Sequence, residues 1–341
     1  MKSPFEIAAT MDALRDLHIK TRSYDKLQEN LARLFRPGPD GHPTHEPVRF
    51  TAGTETRGEI MISGPGAGKT TDMRRAVRDL SALAHNPETG AARHIHLTVT
   101  SPATLRSLAC QFLVALGVSG VSDRVTVHEL WSMVRHRMKR LDISLVVVDE
   151  AHDMFRLTVG SESDAMFRMM KSLMQGEHPV VLLLGGTERL LEITRMDAQV
   201  NRRFSKVFAP PLEIGKDAED IRKVIAFYAG RAELRVEPQD DLAIRLMHGA
   251  RYRLGRCIEL TLAAVEEALI NGKETLGVED FAIAFEMNEG CHDGANVFVT
   301  ENFMAVAFED EDEIGDRLQE ARVKKQREKA LPKSTRGKRT A

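Results

Sequence analysis

Cysteine is scarce in this 341-residue chain, and Cys110, Cys257 and Cys291 are widely spaced and odd in number. No CxxC pair occurs, so neither a disulfide framework nor a thiolate zinc site is expected. The thiols read as reduced side chains of a cytoplasmic protein. A long apolar run is also missing. The opening MKSPFEIAATMDALRDLHIK lacks the uninterrupted apolar core of a signal peptide, and no stretch approaches the length of a membrane span. The 12 histidines are thinly spread; His94 and His96 alternate within a strand pattern, which suits ordinary strand positions better than metal ligation. Nor is there a marked charge excess. A formal net charge of −2 argues neither for nor against nucleic acid.

The distribution of charge says more than its sum. Residues Glu309 to Glu313 read EDEDE, and from Asp316 to Ala341 ten Lys/Arg face three acids. An acid block followed by a basic block is the pattern of a solvated interaction tail, so disorder is expected from Glu309 onward. The basic block, with Lys324, Lys325, Arg327, Lys329, Lys333, Arg336, Lys338 and Arg339, suits partner docking or DNA contact. With 42% apolar residues, the remaining length can build two modest domains.

The stretch that organises the chain is IMISGPGAGKTT, Ile60 to Thr71. A β-prone run feeds a glycine-rich loop and then a helix-compatible segment, which is the context a phosphate-binding P-loop needs. Gly64, Gly66 and Gly68 let the backbone curl so that its amides cradle phosphate oxygens, helped by the positive end of the next helix. Lys69 is expected on the β- and γ-phosphates, with Pro65, Ala67 and Thr71 completing the cradle and the Thr70 hydroxyl on Mg²⁺. The strict pattern places a glycine six residues before the lysine; Ser63 stands there instead, and Gly64 is expected to take over the turn.

Four apolar runs are expected as strands. They lie near Glu59–Ser63, at His94–Val99, at Ile143–Val148 and at Val180–Leu184, with a last strand after Asn201-Arg202-Arg203-Phe204. The continuous ISLVVV and VVLLL runs suit strands buried on both faces of a parallel sheet. Helical stretches alternate with them at 105–116, 127–141 and 166–174, giving an α/β doubly wound sheet. After Pro210-Pro211 four helical stretches follow, at 217–230, 238–248, 256–271 and 278–288, forming a small all-helical domain. The expected organisation is a helical segment and Pro/Gly-rich linker over 1–47, an α/β domain over 48–213, a helical lid over 214–290 and a charged tail over 291–341.

Asp149-Glu150 at the tip of a buried strand completes a nucleotide-hydrolysing site. Asp149 can hold Mg²⁺ opposite Thr70, and Glu150 can orient or deprotonate water. Thr187, after the VVLLL run, can contact that water or the γ-phosphate, or be a plain turn residue. Either Arg202 or Arg203 can project to a neighbouring subunit and stabilise phosphoryl charge. Arg251, Arg253 and Arg256 compete to reach the phosphates from the lid. Arg74, Arg75, Arg78 and loop residues near Arg156 are candidates for DNA phosphates, each more simply a solvated side chain.

SGPGAGKT, LVVVDEAH, a polar strand tip, an Arg-Arg-Phe box and a four-helix lid together resemble the AAA+ ATPases over about residues 20–290. The resemblance implies a P-loop NTPase core with ATP and Mg²⁺ as cofactors. Within that superfamily VVVDEAHDMF, LLLGGTERL, VNRRFSKVFAPPLEI and GARYRLGRCIELTLAAVEEAL look like the TniB/TnsC ATPases of DNA transposons. It further implies Lys69 and Thr70 on phosphate and magnesium, Glu150 as catalytic base, Thr187 as sensor 1, Arg203 as trans finger and Arg256 as sensor 2. The implied partners are duplex DNA, a transposase with its target-site adaptor, and further copies of the chain in a ring or filament. Two other readings are a replication-initiator or loader-like ATPase and a nucleotide-dependent scaffold that does not hydrolyse. The DEAH tetrapeptide alone also occurs in helicases, which need two tandem RecA-like domains.

Overall fold

The computed structural model describes residues 2–100, 103–155 and 161–308. The chain opens with helix α1 (Pro4–Arg15), started by a capping box in which Ser3 and Glu6 satisfy each other's backbone amides. Helix α2 (Arg22–Ala32) follows, capped by the Thr21 hydroxyl. The N-terminal helical segment is thus two helices broken at 16–21. The Pro/Gly-rich stretch expected as a linker is instead a hairpin, β1 (Phe35–Pro37) pairing antiparallel with β2 (Pro43–Pro47). In a two-stranded ribbon one side of each strand is unpaired, so a proline lacking its N–H is tolerated there.

The α/β layer then runs β3 (Gly58–Ile62), α3 (Lys69–Arg78), β4 (His94–Thr98), α4 (Leu105–Ala115), α5 (Val127–Arg140), β5 (Leu145–Asp149), α6 (Ser161–Leu173), β6 (Val181–Gly186), α7 (Glu188–Arg195), α8 (Ala198–Asn201) and β7 (Phe204–Phe208). The five strands are parallel in the order β4-β5-β6-β3-β7. The three central strands are buried along their whole length, whereas the edge strand β4 buries only Ile95 and Leu97 and the edge strand β7 only Phe204 and Val207. That is why the central runs read as continuous apolar sequence. Successive side chains go to opposite faces. Ile60, Ile62, Val146 and Val148 pack under α4, α5 and α6; Met61, Leu145 and Val147 meet Met73 and Ala76 of α3 and Leu27 and Leu31 of α2. Each such side chain contributes roughly 1.5–3 kcal/mol on burial.

The lid comprises α9 (Ile214–Arg231), β8 (Arg235–Val236), α10 (Leu242–Gly249), α11 (Leu254–Ile270), β9 (Thr275–Leu276) and α12 (Val278–Glu289). Its core takes in two segments from outside. Ile7, Met11 and Leu14 of α1 belong to it, and so do Val297 and Phe298. Residues 291–308, expected as the start of the tail, are therefore folded onto the lid. Arg245 Nη1 donates to the carbonyls of Val297 at 2.7 Å and Thr300 at 2.9 Å, and Asn296 Nδ2 donates to that of Ala282 at 2.9 Å. The acid and basic blocks beyond Phe308 lie outside the described residues, as does Arg156. Among the described residues no helix is long and apolar enough to cross a membrane.

Candidate nucleotide site

The glycine loop joins β3 directly to α3. Gly66 and Gly68 take left-handed φ of 70° and 91°, a region open to glycine without a Cβ clash. Gly68 caps α3 without any side-chain hydrogen bond, which leaves the first amides of that helix for an anion. Ser63 continues the strand, its amide donating to the Gly186 carbonyl at 3.1 Å. Gly64 differs from Gly66 and Gly68 in that its φ is not left-handed. What it provides is room: a Cβ there would lie 2.3 Å from Arg253 Nη2. Pro65 and Ala67 are half-buried, and Thr71 is exposed on the first turn of α3.

Opposite the loop, the tip of β5 brings in both carboxylates. The Thr70 hydroxyl donates to Asp149 Oδ2, and Lys69 Nζ donates to Glu150 Oε1 at 3.1 Å. Asp149 and Lys69 are buried. A hydroxyl and a carboxylate in contact form a pair of hard oxygen donors. Such a pair suits Mg²⁺, which keeps waters and phosphate oxygens as its other ligands. Thr187 lies half-buried at the tip of the neighbouring β6, where it begins α7 without capping that helix through its hydroxyl.

The lid contributes its own side of the site. The start of α11 rests on the loop: the Arg256 amide donates to the Gly66 carbonyl at 2.9 Å. A Cβ on Gly66 would lie 2.6 Å from Arg256 Cγ. Of the three competing arginines, Arg253 and Arg256 reach the loop. Arg251 turns away, pairing with Glu289 at 2.9 Å and lying over the Phe308 ring. Gly255 opens the same contact of α11 with the loop: a Cβ on it would lie 2.4 Å from the Gly66 carbonyl oxygen.

Residues 54–194 match the AAA domain family. No curated protein matches the chain. Among solved structures, the Aeropyrum pernix ORC1 protein in complex with DNA is similar at 19% identity and a TM-score of 0.60, over 82% of this chain and 69% of that one. The Aeropyrum pernix ORC2 protein in its ADPNP-ADP complexes is 16% identical with a TM-score of 0.53, over 81% and 71%. Cdc6p from Pyrobaculum aerophilum is 14% identical with a TM-score of 0.53, over 80% and 69%. At such identities the likeness is one of fold. The chain has the P-loop AAA+ fold, a parallel five-stranded sheet with a helical region after it.

Within this AAA+ fold one expected side chain lies elsewhere. Arg203 does not project outward: it is 3% exposed, and Nε and Nη2 both donate to Glu55 Oε2, the former at 2.9 Å. Arg202 is the accessible one, its side chain 60% exposed while Nη2 comes within 3.4 Å of Glu55 Oε1. Arg203 lies in the turn just before β7, beside a Glu55 that is itself buried. Two further features escaped sequence reasoning. His152 Nδ1 lies 3.3 Å from Glu150 Oε2. His18, in the break between α1 and α2, places Nε2 3.0 Å from Asp72 Oδ1 on α3. Burial pushes the Asp72 carboxyl above its ordinary range, with His18 opposing that shift.

Proposed function

We propose that this chain is an AAA+ ATPase that binds and hydrolyses ATP, oligomerises on duplex DNA, and acts as a target-selection regulator in DNA transposition. The observation that carries the ATPase reading is the convergence of Lys69 and Thr70, after β3, with Asp149 and Glu150 at the end of β5, across the intervening β6. Lys69, the loop amides and Arg256 bind the triphosphate. Thr70 and Asp149 hold Mg²⁺, which supplies charge neutralisation on the phosphates. Glu150 accepts the proton of the attacking water, and Thr187 orients that water or the γ-phosphate. Arg202, the accessible member of its pair, is the better candidate for a charge offered to a neighbouring copy.

The transposition reading rests on the resemblance of its motif stretches to those of the TniB/TnsC ATPases. Contacts to DNA are then mainly to phosphate and weaken with salt. A second reading, an initiator-like ATPase, is favoured by the fold likeness to ORC1, ORC2 and Cdc6p. The deciding experiment pairs phosphate release with a gel shift. Glu150→Gln should lower turnover by roughly 10²-fold or more while ATP stays bound, and duplex retention should require ATP. Equal DNA binding without nucleotide, and no oligomer with it, sinks the proposal. Stimulation of an integrase-like transposase encoded beside this chain favours the first reading, and retention of one duplex sequence above others favours the second.

A further inference from the structure

Glu150 is held in an unusual way. Its φ of 52° puts a non-glycine residue in the left-handed region, which costs roughly 1 kcal/mol and persists only where surroundings enforce it. Its amide donates to Asp149 Oδ1 at 2.9 Å, which fixes the backbone but not the side chain. Two groups meet the carboxylate. Lys69 Nζ donates to Oε1 at 3.1 Å, and His152 Nδ1 stands 3.3 Å from Oε2, within ion-pair distance but outside hydrogen-bonding alignment.

The imidazole is itself wedged in place. His152 is buried, its Nε2 lies 3.6 Å from Asp153 Oδ1, and a Cβ on Gly186 would fall 3.4 Å from Nδ1. The ring therefore sits between the carboxylate turn after β5 and the tip of β6, one residue before Thr187. Lys69 has two claims upon it, the carboxylate and a phosphate, and its ammonium cannot serve both fully. When it serves the phosphate, Oε1 loses a partner while the imidazole still faces Oε2.

We propose that His152 is a positioning residue for ATP hydrolysis, holding Glu150 through Oε2 when Lys69 leaves Oε1 for the triphosphate. The inference rests on the ATPase reading above. A base displaced by about an ångström loses roughly two orders of magnitude in rate. The imidazole acts on that displacement and makes no bond itself. Asn is the conservative replacement, because its amide nitrogen can stand where Nδ1 stands.

The test combines three measurements on the full chain. His152→Ala should lower kcat roughly tenfold to a hundredfold, while the Kd for a fluorescent ATP analogue stays within about threefold. His152→Asn should restore most of the loss. In nucleotide-free protein labelled with ¹⁵N-histidine, the imidazole resonance of His152, assigned by its disappearance in His152→Asn, should move in Glu150→Gln. Wild-type turnover in His152→Ala overturns the proposal, as do Ala and Asn variants that are equally inactive with equally lowered thermal midpoints. If the wild-type chain releases no phosphate, the ATPase reading fails by itself. A Glu150→Gln shift then still supports the hold on the carboxylate, and an unmoved resonance overturns it.

Discussion

Arg203 Nε lies 2.9 Å from Glu55 Oε2, and both side chains are almost wholly buried at the edge of the AAA+ sheet. Glu55 also accepts from the Thr51 hydroxyl at 2.6 Å. That hydrogen bond, and then the guanidinium, hold its carboxyl below the ordinary carboxylate range. Removing one partner leaves an uncompensated buried charge, so Arg203→Ala should cost about 3–5 kcal/mol. Arg202→Ala, at an exposed position, should stay within about 1 kcal/mol of wild type. Urea unfolding of the two variants checks this. Equal losses would show that the buried pair does not distinguish them.

The lid contact makes a second prediction. Gly255→Ala introduces a Cβ 2.4 Å from the Gly66 carbonyl oxygen, so either the P-loop shifts or α11 lifts. Overpacking of this kind costs about 1–3 kcal/mol, and it falls on the loop that grips phosphate. Nucleotide affinity measured by fluorescence titration should drop about tenfold, on the order of 1.4 kcal/mol. Gly215→Ala is the control. Its Cβ meets nothing within 4 Å on α9, and alanine there should stabilise the helix by up to about 1 kcal/mol without changing affinity. Parallel behaviour of the two variants would remove the lid contact from the account.

Most of this architecture is legible in the residues because the signals are local. Buried parallel strands are continuous apolar runs, and the glycine loop carries its own dihedral requirement, so β3, β5, β6 and the loop fall close to their expected bounds. What is not legible depends on distant partners. Nothing local in RPGPDGHPTHEP announces a hairpin, because its pairing sets Pro37 against Pro43 and Pro47 against Phe35, outside the stretch itself. Nothing in Arg202-Arg203 says which guanidinium meets Glu55, some 147 residues earlier. Ile7, Met11 and Leu14 show an apolar stripe, but its destination on the lid rather than the sheet is a tertiary fact. His152 follows a recognisable motif, yet its approach to Glu150 depends on a backbone turn that sequence does not encode visibly.

A pH dependence follows from Glu59, which is fully buried within β3. Burial pushes its carboxyl above the ordinary 4.5; hydrogen bonds from Ser205 and Asn30, and the charges of Lys26 and Lys206, oppose the shift. The folded chain therefore holds this proton at pH values where the unfolded chain has lost it. Stability contributed by Glu59 is present below about pH 4.5 and is lost as pH rises through the folded pKa. Glu59→Gln keeps the shape and discards the proton. The stability of Glu59→Gln relative to wild type, from urea unfolding, should increase between pH 4.5 and neutrality. A constant difference across that range would refute the raised carboxyl.

The last prediction concerns residues 291–308. Phe298 is 5% exposed, stacked on Phe281 with ring centroids 5.4 Å apart and edge-on to Phe285 at 5.7 Å. Truncating an aromatic so placed costs about 3–5 kcal/mol, from lost transfer energy and the cavity left behind. Val299, half exposed beside it, should tolerate alanine within about 0.5 kcal/mol. Because α11 also rests on the P-loop, loosening the lid core should reach the site. Phe298→Ala is expected to weaken nucleotide binding as well as lower the thermal midpoint, whereas Val299→Ala should do neither. A chain ending after residue 308 should keep full stability and one ending after 290 should lose it, because only the longer one retains Val297, Phe298 and the carbonyls that Arg245 engages. If the shorter chain melts at the same temperature as the longer, the segment is an appendage and the lid core closes without it.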